Sequence, residues 1–266
     1  MYKNLKQFYK TNSHNAVLKA LAGFGRSLNR LYENRNHNPL SNGEVTLLKK
    51  IAKFNPEVII DGGANVGNYA HLVNTHCPSS KVFSFEPVPE TFNTLKTNTA
   101  GNPNNFPINK GFYNQNCTKS INIFPIDEHA SLYDINATLQ SSIGTVDIEL
   151  VKGDDFLLQN NIENVFLLKL DLEGAEYDAL LGFENSLKNG RVKLIQFEYG
   201  YINITTKRLL IDFYQLLESY GYVLGKLFPK TVEFRKYEYK HDDFIGPNFV
   251  AVHKDETELI ASLSRK

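Results

Sequence analysis

Short apolar runs alternate with helix-like segments along most of the chain. Apolar runs occupy residues 58–60, 81–85, 106–108, 166–170 and 194–197. Runs that are apolar at consecutive positions indicate strands buried on both faces, as in a parallel sheet. Segments with helical periodicity fall between them, at about 68–76, 89–99 and 175–188. This alternation predicts an α/β fold with a Rossmann-like, doubly wound and mostly parallel sheet.

Two regions interrupt the alternation. Between residues 112 and 151, short alternating runs at 120–124 and 146–150 predict a small β insert. Near the C-terminus, a helix at 206–219 precedes apolar runs at 222–228 and 248–252. Two strands joined by a long loop there predict an antiparallel hairpin at the sheet edge, and residues 254–266 predict a short helix or a frayed tail.

The N-terminal region predicts one amphipathic helix over residues 13–33. Its apolar seam consists of Val17, Leu21, Phe24, Leu28 and Leu31, at alternating four- and three-residue steps. We expect the seam to pack on the rest of the domain or on a second copy in a homodimer. An alternative is that the basic flanks of the helix contact a membrane surface or a lipid-linked substrate.

Charge and cysteine content narrow the classes of partner. The chain has 29 basic and 29 acidic residues, which argues against a nucleic-acid substrate. Residues 1–35 nevertheless carry a net charge of +6, and the remainder carries −6. Cys77 and Cys117 follow no disulfide or metal spacing, so we expect reduced cysteines and a cytoplasmic protein. No apolar stretch near the N-terminus is long enough to predict a signal peptide or a membrane span.

The first strand leads into an acidic residue and a glycine-rich turn, at residues 58–68 (VIIDGGANVGN). Ligands of open α/β sheets bind beyond the carboxyl ends of the strands, where this turn would lie. Gly62, Gly63 and Gly67 would let the backbone approach a ligand closely. Asn65 tolerates a left-handed conformation better than most residues do.

The turn matches neither a phosphate loop nor the Gly-x-Gly-x-x-Gly dinucleotide fingerprint. Asp61 would repel a pyrophosphate but would suit an amine or another cation. S-adenosylmethionine has an ammonium group, a sulfonium and no phosphate, so the acid favours it over NAD. Glu86 ends the second strand, 23 residues after Gly63, close to the spacing at which an acid accepts hydrogen bonds from ribose hydroxyls.

Five segments together resemble the FkbM-type family of class I S-adenosylmethionine-dependent methyltransferases. They are VIIDGGANVGN at 58–68, VFSFEPVP at 82–89, FLLKLDLEGAE at 166–176, LIQFEY at 194–199 and NFVAV at 248–252. The Asp-x-Glu-Gly-x-Glu element from Asp171 to Glu176 is the most specific of them. The resemblance implies a seven-stranded sheet and O-methylation, often of sugar hydroxyls on glycans or glycosylated natural products.

The resemblance also implies site residues and boundaries. It assigns cofactor binding to a set around the first three strand ends: Asp61, Gly62, Gly63, Ala64, Asn65, Gly67, Asn68, Glu86, Pro87, Gly111, Phe112 and Asp171. Residues 109–112 would lie near the adenine. A methyltransferase domain would span 44–266, after an N-terminal helical extension at 1–43. The 112–151 insert matches the family least well and is predicted to lie near the substrate site.

Methyl transfer to an alcohol needs a base to take the hydroxyl proton. The candidates are Asp171, Glu173, Glu198 and His129, with Glu173 and Glu198 preferred and Asp171 favoured as a cofactor ligand. Glu176 is interpreted as an acid stabilised at a helix start. Tyr199, Tyr201 and Tyr222 could stack on a sugar ring or pack in the core. The cluster His241, Asp242 and Asp243 is interpreted as an exposed loop, so no metal is predicted.

Other functions remain open at this point. The sequence is compatible with an NAD-dependent oxidoreductase on a similar sheet, or with a partner subunit that binds the cofactor without catalysis. A nucleic-acid methyltransferase is disfavoured, because the Asn/Asp-Pro-Pro-Tyr/Phe element used for base N-methylation is absent.

Overall fold

A computed structural model describes residues 2–124, 130–133 and 143–265. Its helices are α1 (Tyr2–Thr11), α2 (Ala16–Tyr32), α3 (Glu44–Ile51), α4 (Asn68–His76), α5 (Pro89–Thr99), α6 (Gly153–Gln159), α7 (Glu176–Gly182), α8 (Glu184–Lys188), α9 (Ile202–Thr206), α10 (Leu210–Ser219) and α11 (Thr257–Ser264). Single 3₁₀ turns lie at Ala52–Phe54 and Tyr239–His241. The sequence pattern did not predict α1, α6 and α9.

The main sheet contains eight strands within the described ranges. They are β1 (Val58–Gly62), β2 (Lys81–Phe85), β3 (Asn105–Ile108), β8 (Val165–Leu170), β9 (Val192–Glu198), β10 (Tyr222–Leu227), β11 (Val232–Phe234) and β12 (Asn248–His253). Their spatial order is β3-β2-β1-β8-β9-β12-β10-β11. The first five of that order are mutually parallel, and β12 is antiparallel to both of its neighbours. The predicted Rossmann-like α/β class is therefore confirmed.

The predicted antiparallel pairing of β10 with β12 is present, but a third strand lies at the edge of the sheet. β12 inserts between β9 and β10 and pairs antiparallel with each. The long loop that joins β10 to β12 also contains β11, which pairs with β10 at the edge. The sheet therefore has one strand more than the predicted seven, because three residues of the connecting loop extend it.

Alternation along the central strands divides the core between the two faces of the sheet. Ile59 and Leu167 face a cluster built with α3, α4 and α11, whereas Ile60 and Leu168 face a cluster built with α6, α7 and α10. All six residues of β8 are buried. Apolar side chains on both faces of each strand explain the continuous apolar runs in the sequence.

The insert forms its own small sheet in the described residues. Its strands are β4 (Gly111–Phe112), β5 (Cys117–Ile123), β6 (Ala130–Ser131) and β7 (Gly144–Val151), in the order β4-β7-β5-β6. β5 and β7 are antiparallel from Cys117 opposite Leu150 to Ile123 opposite Gly144. The predicted β insert is therefore present, with longer strands than the apolar runs indicated.

The N-terminal helices stand apart from this core. No residue of α2 is buried, and the five seam residues are each at least half exposed. The expectation that the seam packs on the rest of the domain is therefore wrong. The chain is anchored just after α2, where buried Asn34 donates hydrogen bonds to the carbonyls of Asn42 and Leu227, at 2.7 and 3.0 Å.

Candidate functional site

The turn after β1 adopts the backbone conformations that its sequence predicted. Gly63, Asn65 and Gly67 have φ angles of +77°, +49° and +95°. The backbone N–H groups of Gly63 and Ala64 both donate to the carbonyl of Phe85, at 3.0 and 2.9 Å. A Cβ on Gly63 would lie 1.8 Å from the carbonyl oxygen of Asp171. Only glycine therefore allows the turn after β1 to lie directly against the loop after β8.

Glu86 is fixed at the end of β2 by backbone donors. Its Oε2 accepts from the N–H of Asn65 at 3.1 Å, and its Oε1 accepts from the N–H of Val88 at 2.9 Å. The Asn109 amide donates to the carbonyls of Glu86 and Pro87, at 2.8 and 3.0 Å. These contacts fix the carboxylate at the strand end, and a carboxylate is a strong acceptor for the hydroxyls of a ligand.

An ion network runs beneath the turn and joins β1 to β8. Asp61 and Lys169 are opposite one another in the strand register. Lys169 Nζ lies 3.4 Å from Asp61 Oδ1 and 3.2 Å from Asp171 Oδ2. Burial opposes the charge on Lys169, but the carboxylates of Asp171 and Asp61 outweigh it and raise the lysine pKa well above its usual value. Burial raises the pKa of Asp61, and the neighbouring ammonium offsets part of that effect.

The loop after β8 is shaped by a buried glutamate. Glu173 and Gly174 have φ angles of +50° and +108°, and for Glu173 this is an uncommon, strained conformation. The carboxylate of Glu176 accepts from the N–H of Leu172 at 2.7 Å and from that of Gly174 at 3.1 Å. Burial raises the pKa of Glu176 to about 8. Glu176 begins α7 as predicted, and its contacts give it a further part in holding the loop that carries Asp171 and Glu173.

Three carboxylates converge beside this loop. One oxygen each of Asp171, Glu173 and Glu198 lies within 4.8 Å of the others. Burial raises the pKa of Glu198 well above its usual value, and the charges of Asp171 and Glu173 add to the effect. His37 Nδ1 lies 3.5 Å from Glu198 Oε1. The spacing of the three carboxylates is compatible with a divalent cation, so the absence of a metal stays a prediction.

Two cavities flank the carboxylates. The first, of about 180 Å³, is lined by Gly63, Asn65, Glu86, Pro87, Gly111, Phe112, Ile121, Ala130, Leu132, Ile148, Leu150, Asp171, Leu172, Glu173 and Ala175. The second, of about 310 Å³, is lined by Arg35, His37, Glu173, Glu198, Gly200, Tyr201, Ile202, Phe244, Ile245, Gly246 and Pro247. Glu173 borders both cavities, so the two spaces meet at the carboxylate group.

The cofactor residues implied by the resemblance fall into two groups. Seven border the first cavity: Gly63, Asn65, Glu86, Pro87, Gly111, Phe112 and Asp171. Five do not: Asp61, Gly62, Ala64, Gly67 and Asn68. Asp61 is fully buried beneath the turn, Gly67 precedes α4, and Asn68 is exposed at the start of that helix. These five would act through the shape and charge of the turn rather than by lining the cavity.

The candidate bases also differ in which cavity they border. Glu173 and Glu198 border the second cavity, and Asp171 borders the first. His129 lies outside the described residues. Sequence reasoning missed Lys169, Arg35 and His37. The signal for Lys169 was a lysine within an otherwise apolar strand, whereas nothing in the linker sequence indicated that Arg35 and His37 reach a cavity.

Several other polar residues have structural partners. Tyr199 is fully buried and donates to Asp242 at 2.8 Å, and Tyr222 donates to the carbonyl of Val192 at 2.6 Å. Both are packing residues, while Tyr201 borders the second cavity. Asp242 also accepts from the N–H of Leu210 at 2.5 Å. The interpretation of residues 241–243 as an exposed loop is therefore wrong, because they belong to a partly buried hydrogen-bond network.

The lining of the first cavity suits a cationic nucleoside better than a dinucleotide. Glu86 offers acceptors for sugar hydroxyls, and Phe112, Ile121 and Leu150 form an apolar wall for a base. Asp171 and Glu173 add two carboxyl groups to the same lining. A pyrophosphate would be repelled there, whereas an ammonium or sulfonium group would be attracted. Residues of the insert, among them Ile121, Ile148 and Leu150, line the first cavity. Its position near a substrate stays a prediction.

Comparison with known proteins agrees with this arrangement. A model of the Methyltransferase FkbM domain matches residues 61–224, more than half of the chain. The hexuronic acid methyltransferase AglP of Haloferax volcanii is 27% identical over 146 residues, which cover 54% of this chain and 57% of AglP. Methyltransferase 1 of Beauveria bassiana is 27% identical over 220 residues, with 71% of this chain and 85% of that protein covered.

A solved structure shows a weaker likeness. The crystal structure of methyltransferase FkbM from Methylobacillus flagellatus KT has a TM-score of 0.48 and 16% sequence identity, over 75% of this chain and 44% of that one. The chain thus spans less than two thirds of both AglP and this crystallised protein. The family model extends over most of the α/β core, including the strand ends that form both cavities. The chain belongs to the family of FkbM methyltransferase domains.

Proposed function

We propose that this chain is an S-adenosylmethionine-dependent O-methyltransferase whose acceptor is a hydroxyl group of a sugar, a glycan or a glycosylated small molecule. The observation that carries the proposal is the meeting of two cavities at a carboxylate group. The first has a lining suited to a cationic nucleoside, and the second has an acidic group of raised pKa at its border. Such an arrangement would bring donor and acceptor together in line with a base.

On the cofactor side, Glu86 would accept hydrogen bonds from the ribose hydroxyls. Phe112 and the apolar wall of the insert would cover the adenine, and Asp171 would attract the positively charged part of the ligand. When bound, S-adenosylmethionine supplies an electrophilic methyl group on a sulfonium. The Lys169 ammonium would orient the carboxylate of Asp171 through their 3.2 Å contact.

On the acceptor side, Glu198 is the better candidate for the base. A base works best when its pKa lies near the operating pH, and the pKa of Glu198 is raised toward that range by burial and by two neighbouring carboxylates. The Glu198 carboxylate would accept the proton of the acceptor hydroxyl. Glu173 borders both cavities and would hold its negative charge close to the reacting centre.

The second cavity has features that suit a sugar. Tyr201 and Phe244 offer aromatic surfaces at its border, and Arg35 offers a guanidinium that forms no ion pair with the described residues. AglP is named as a hexuronic acid methyltransferase. A carboxylated sugar would fit the same chemistry here, because an arginine pairs well with a carboxylate. We therefore propose uronic acid residues as the first acceptors to test.

The cofactor assignment is tested by calorimetry with S-adenosylhomocysteine. We expect the wild type to bind it and Glu86→Ala to lose at least about tenfold in affinity, because two hydrogen bonds to a charged acceptor would be lost. Glu90→Ala is the matched control, since Glu90 is an exposed glutamate four residues further along. No binding by the wild type, with NADH binding instead, would favour the oxidoreductase alternative.

The acceptor assignment is tested by turnover. Formation of S-adenosylhomocysteine would be measured with glucuronides, neutral glycosides and simple alcohols, each with and without EDTA. We expect turnover with the sugar hydroxyls, faster for the glucuronides, and no effect of EDTA. Cofactor binding without turnover on any acceptor would favour the non-catalytic partner subunit.

A further inference from the structure

Helices α1 and α2 form an arm whose apolar side has no partner within the described part of the chain. Val17, Leu21, Phe24, Leu28 and Leu31 are 61%, 58%, 65%, 50% and 77% exposed. Phe8 of α1 and Tyr32 at the end of α2 are also more than half exposed. Monomeric proteins rarely leave a contiguous apolar stripe of this length in water, so the arm is expected to bind a surface.

The charge of the arm indicates what that surface is. Between residues 2 and 32 the chain has six basic residues and no acidic one: Lys3, Lys6, Lys10, Lys19, Arg26 and Arg30. In α2, the basic residues Lys19, Arg26 and Arg30 lie roughly opposite the apolar seam at 100° per residue. An apolar face opposed by a face whose charged residues are all basic is typical of helices that lie in the interface of an anionic membrane.

The arm gains little stability from the rest of the chain. No side chain of α2 is buried, and Gly23 and Gly25 weaken a helix in water. Anchoring begins only at the end of α2, where Glu33 pairs with buried Lys226 at 3.2 Å. The chain then continues to Arg35 and His37, which border the second cavity. The arm therefore joins the core beside the proposed acceptor site.

Other occupants fit these features less well. Pairing with the arm of a second copy would bury the two seams but leave both basic faces, twelve basic residues in all, without an anionic partner. A nucleic acid would neutralise the basic face but leave the apolar seam in water. None of the helices in the described ranges is long and apolar enough to cross a bilayer. A bilayer surface is the occupant that satisfies both faces of α2 at once.

We propose that the α1–α2 arm lies in the plane of an anionic lipid bilayer, with its apolar seam among the acyl chains and its basic residues near the phosphate groups. This contact does not depend on the chemistry at the two cavities. It would bring the second cavity close to the membrane surface, where a lipid-linked acceptor would be accessible.

The test is flotation of the full chain with vesicles. We expect the protein to float with phosphatidylglycerol-containing vesicles at low salt, to remain in solution with pure phosphatidylcholine, and to be released as salt screens the charges. Two double variants should each weaken the vesicle partition coefficient at least about tenfold: Arg26→Glu with Arg30→Glu, and Phe24→Gln with Leu28→Gln. Because these side chains are exposed, both variants should fold.

Matched controls distinguish the effect of the arm on vesicle binding from the effects of net charge and of exposed apolar side chains elsewhere. Lys81→Glu with Lys96→Glu changes the net charge equally at exposed sites outside the arm, and Leu158→Gln removes a 76% exposed leucine from α6. Both should float like the wild type. Wild type that stays in solution with anionic vesicles would overturn the proposal. A stable dimer in light scattering that dissociates in the variant Phe24→Gln with Leu28→Gln would also overturn it. So would control variants whose vesicle partition coefficients fall as much as those of the arm variants.

Discussion

At the scale of single residues, the site is governed by carboxyl groups whose protonation differs with their surroundings. Glu176 is fully buried and accepts backbone bonds, whereas Glu198 is partly exposed beside Asp171 and Glu173. Burial raises both pKa values, but only Glu198 borders a cavity. Burial therefore raises the pKa of both carboxyl groups, but their parts differ. Glu176 holds the loop after β8, whereas we propose that Glu198 accepts the proton of the acceptor hydroxyl.

Glu198→Gln tests the proposed base. Because the pKa of Glu198 is raised, its carboxyl ionises at a higher pH than an ordinary glutamate, and turnover of the wild type should increase with pH as it ionises. The glutamine variant should lose at least about a hundredfold in kcat and lack this increase. The measurement is the pH profile of kcat, with exposed Glu218→Gln as the control. An unchanged rate and profile in Glu198→Gln would move the base to another group.

Glu176 makes stability depend on pH. Its folded pKa of about 8 exceeds the usual 4.5, so the folded chain binds more protons between those values. Its contribution to stability is therefore largest below about pH 4.5 and declines as pH rises toward 8. We expect the Tm of the wild type to fall by about 5 °C relative to Glu176→Gln between pH 5 and pH 8.5. A Tm difference that stays constant with pH would contradict this.

At the scale of elements, the site depends on the register between β1 and β8. That register brings Asp61 opposite Lys169, and Lys169 reaches both Asp61 and Asp171. The apolar runs predicted both strands correctly, but no local pattern determines which residues of two distant strands become neighbours. A shift of one residue would turn Lys169 to the other face of the sheet.

Lys169→Met is expected to destabilise the fold by about 3–5 kcal/mol, because it leaves the carboxylate of Asp61 buried without a cation. Lys193→Met, at a more exposed lysine of β9, should cost less than about 1 kcal/mol. The double variant Asp61→Asn with Lys169→Met should recover most of the loss. Urea unfolding of the four proteins measures these values. No recovery in the double variant would show that Lys169 contributes through packing instead of the ion pair.

At the scale of the whole molecule, the chain consists of an α/β core, which contains the two cavities at the carboxylate group, and an arm that joins it just after α2. The small insert sheet covers the first cavity, and the linker after α2 borders the second. The insert matched the family pattern least well in the sequence. The insert and the linker complete the two cavities, beyond the strand ends common to the fold.

Removal of the arm should leave the core stable. A variant lacking residues 2–31 is expected to change Tm by less than about 2 °C, because no side chain of α2 is buried. A variant lacking residues 2–35 should lose more, since Glu33 and Asn34 bond to Lys226 and to the backbone of β10. Thermal unfolding of both variants checks this. Equal Tm losses in the two would indicate that the arm packs on the core.

The sequence by itself determined the class of the fold, the family and the conformation of the turn after β1. These properties depend on local information: apolar runs, the order of strands and helices, and the few residues that accept a left-handed backbone. The match to the FkbM methyltransferase domain confirmed the resemblance that five short segments had indicated.

The tertiary structure alone decided which residues meet. In the folded chain Asp61 does not border the first cavity and pairs with Lys169, which was not predicted. Arg35 and His37, from the linker after α2, border the second cavity. It also left the seam of α2 exposed, where its periodicity had indicated packing. The physical reason is that a periodic pattern shows which face of an element is apolar, whereas register and chain connections determine what that face touches.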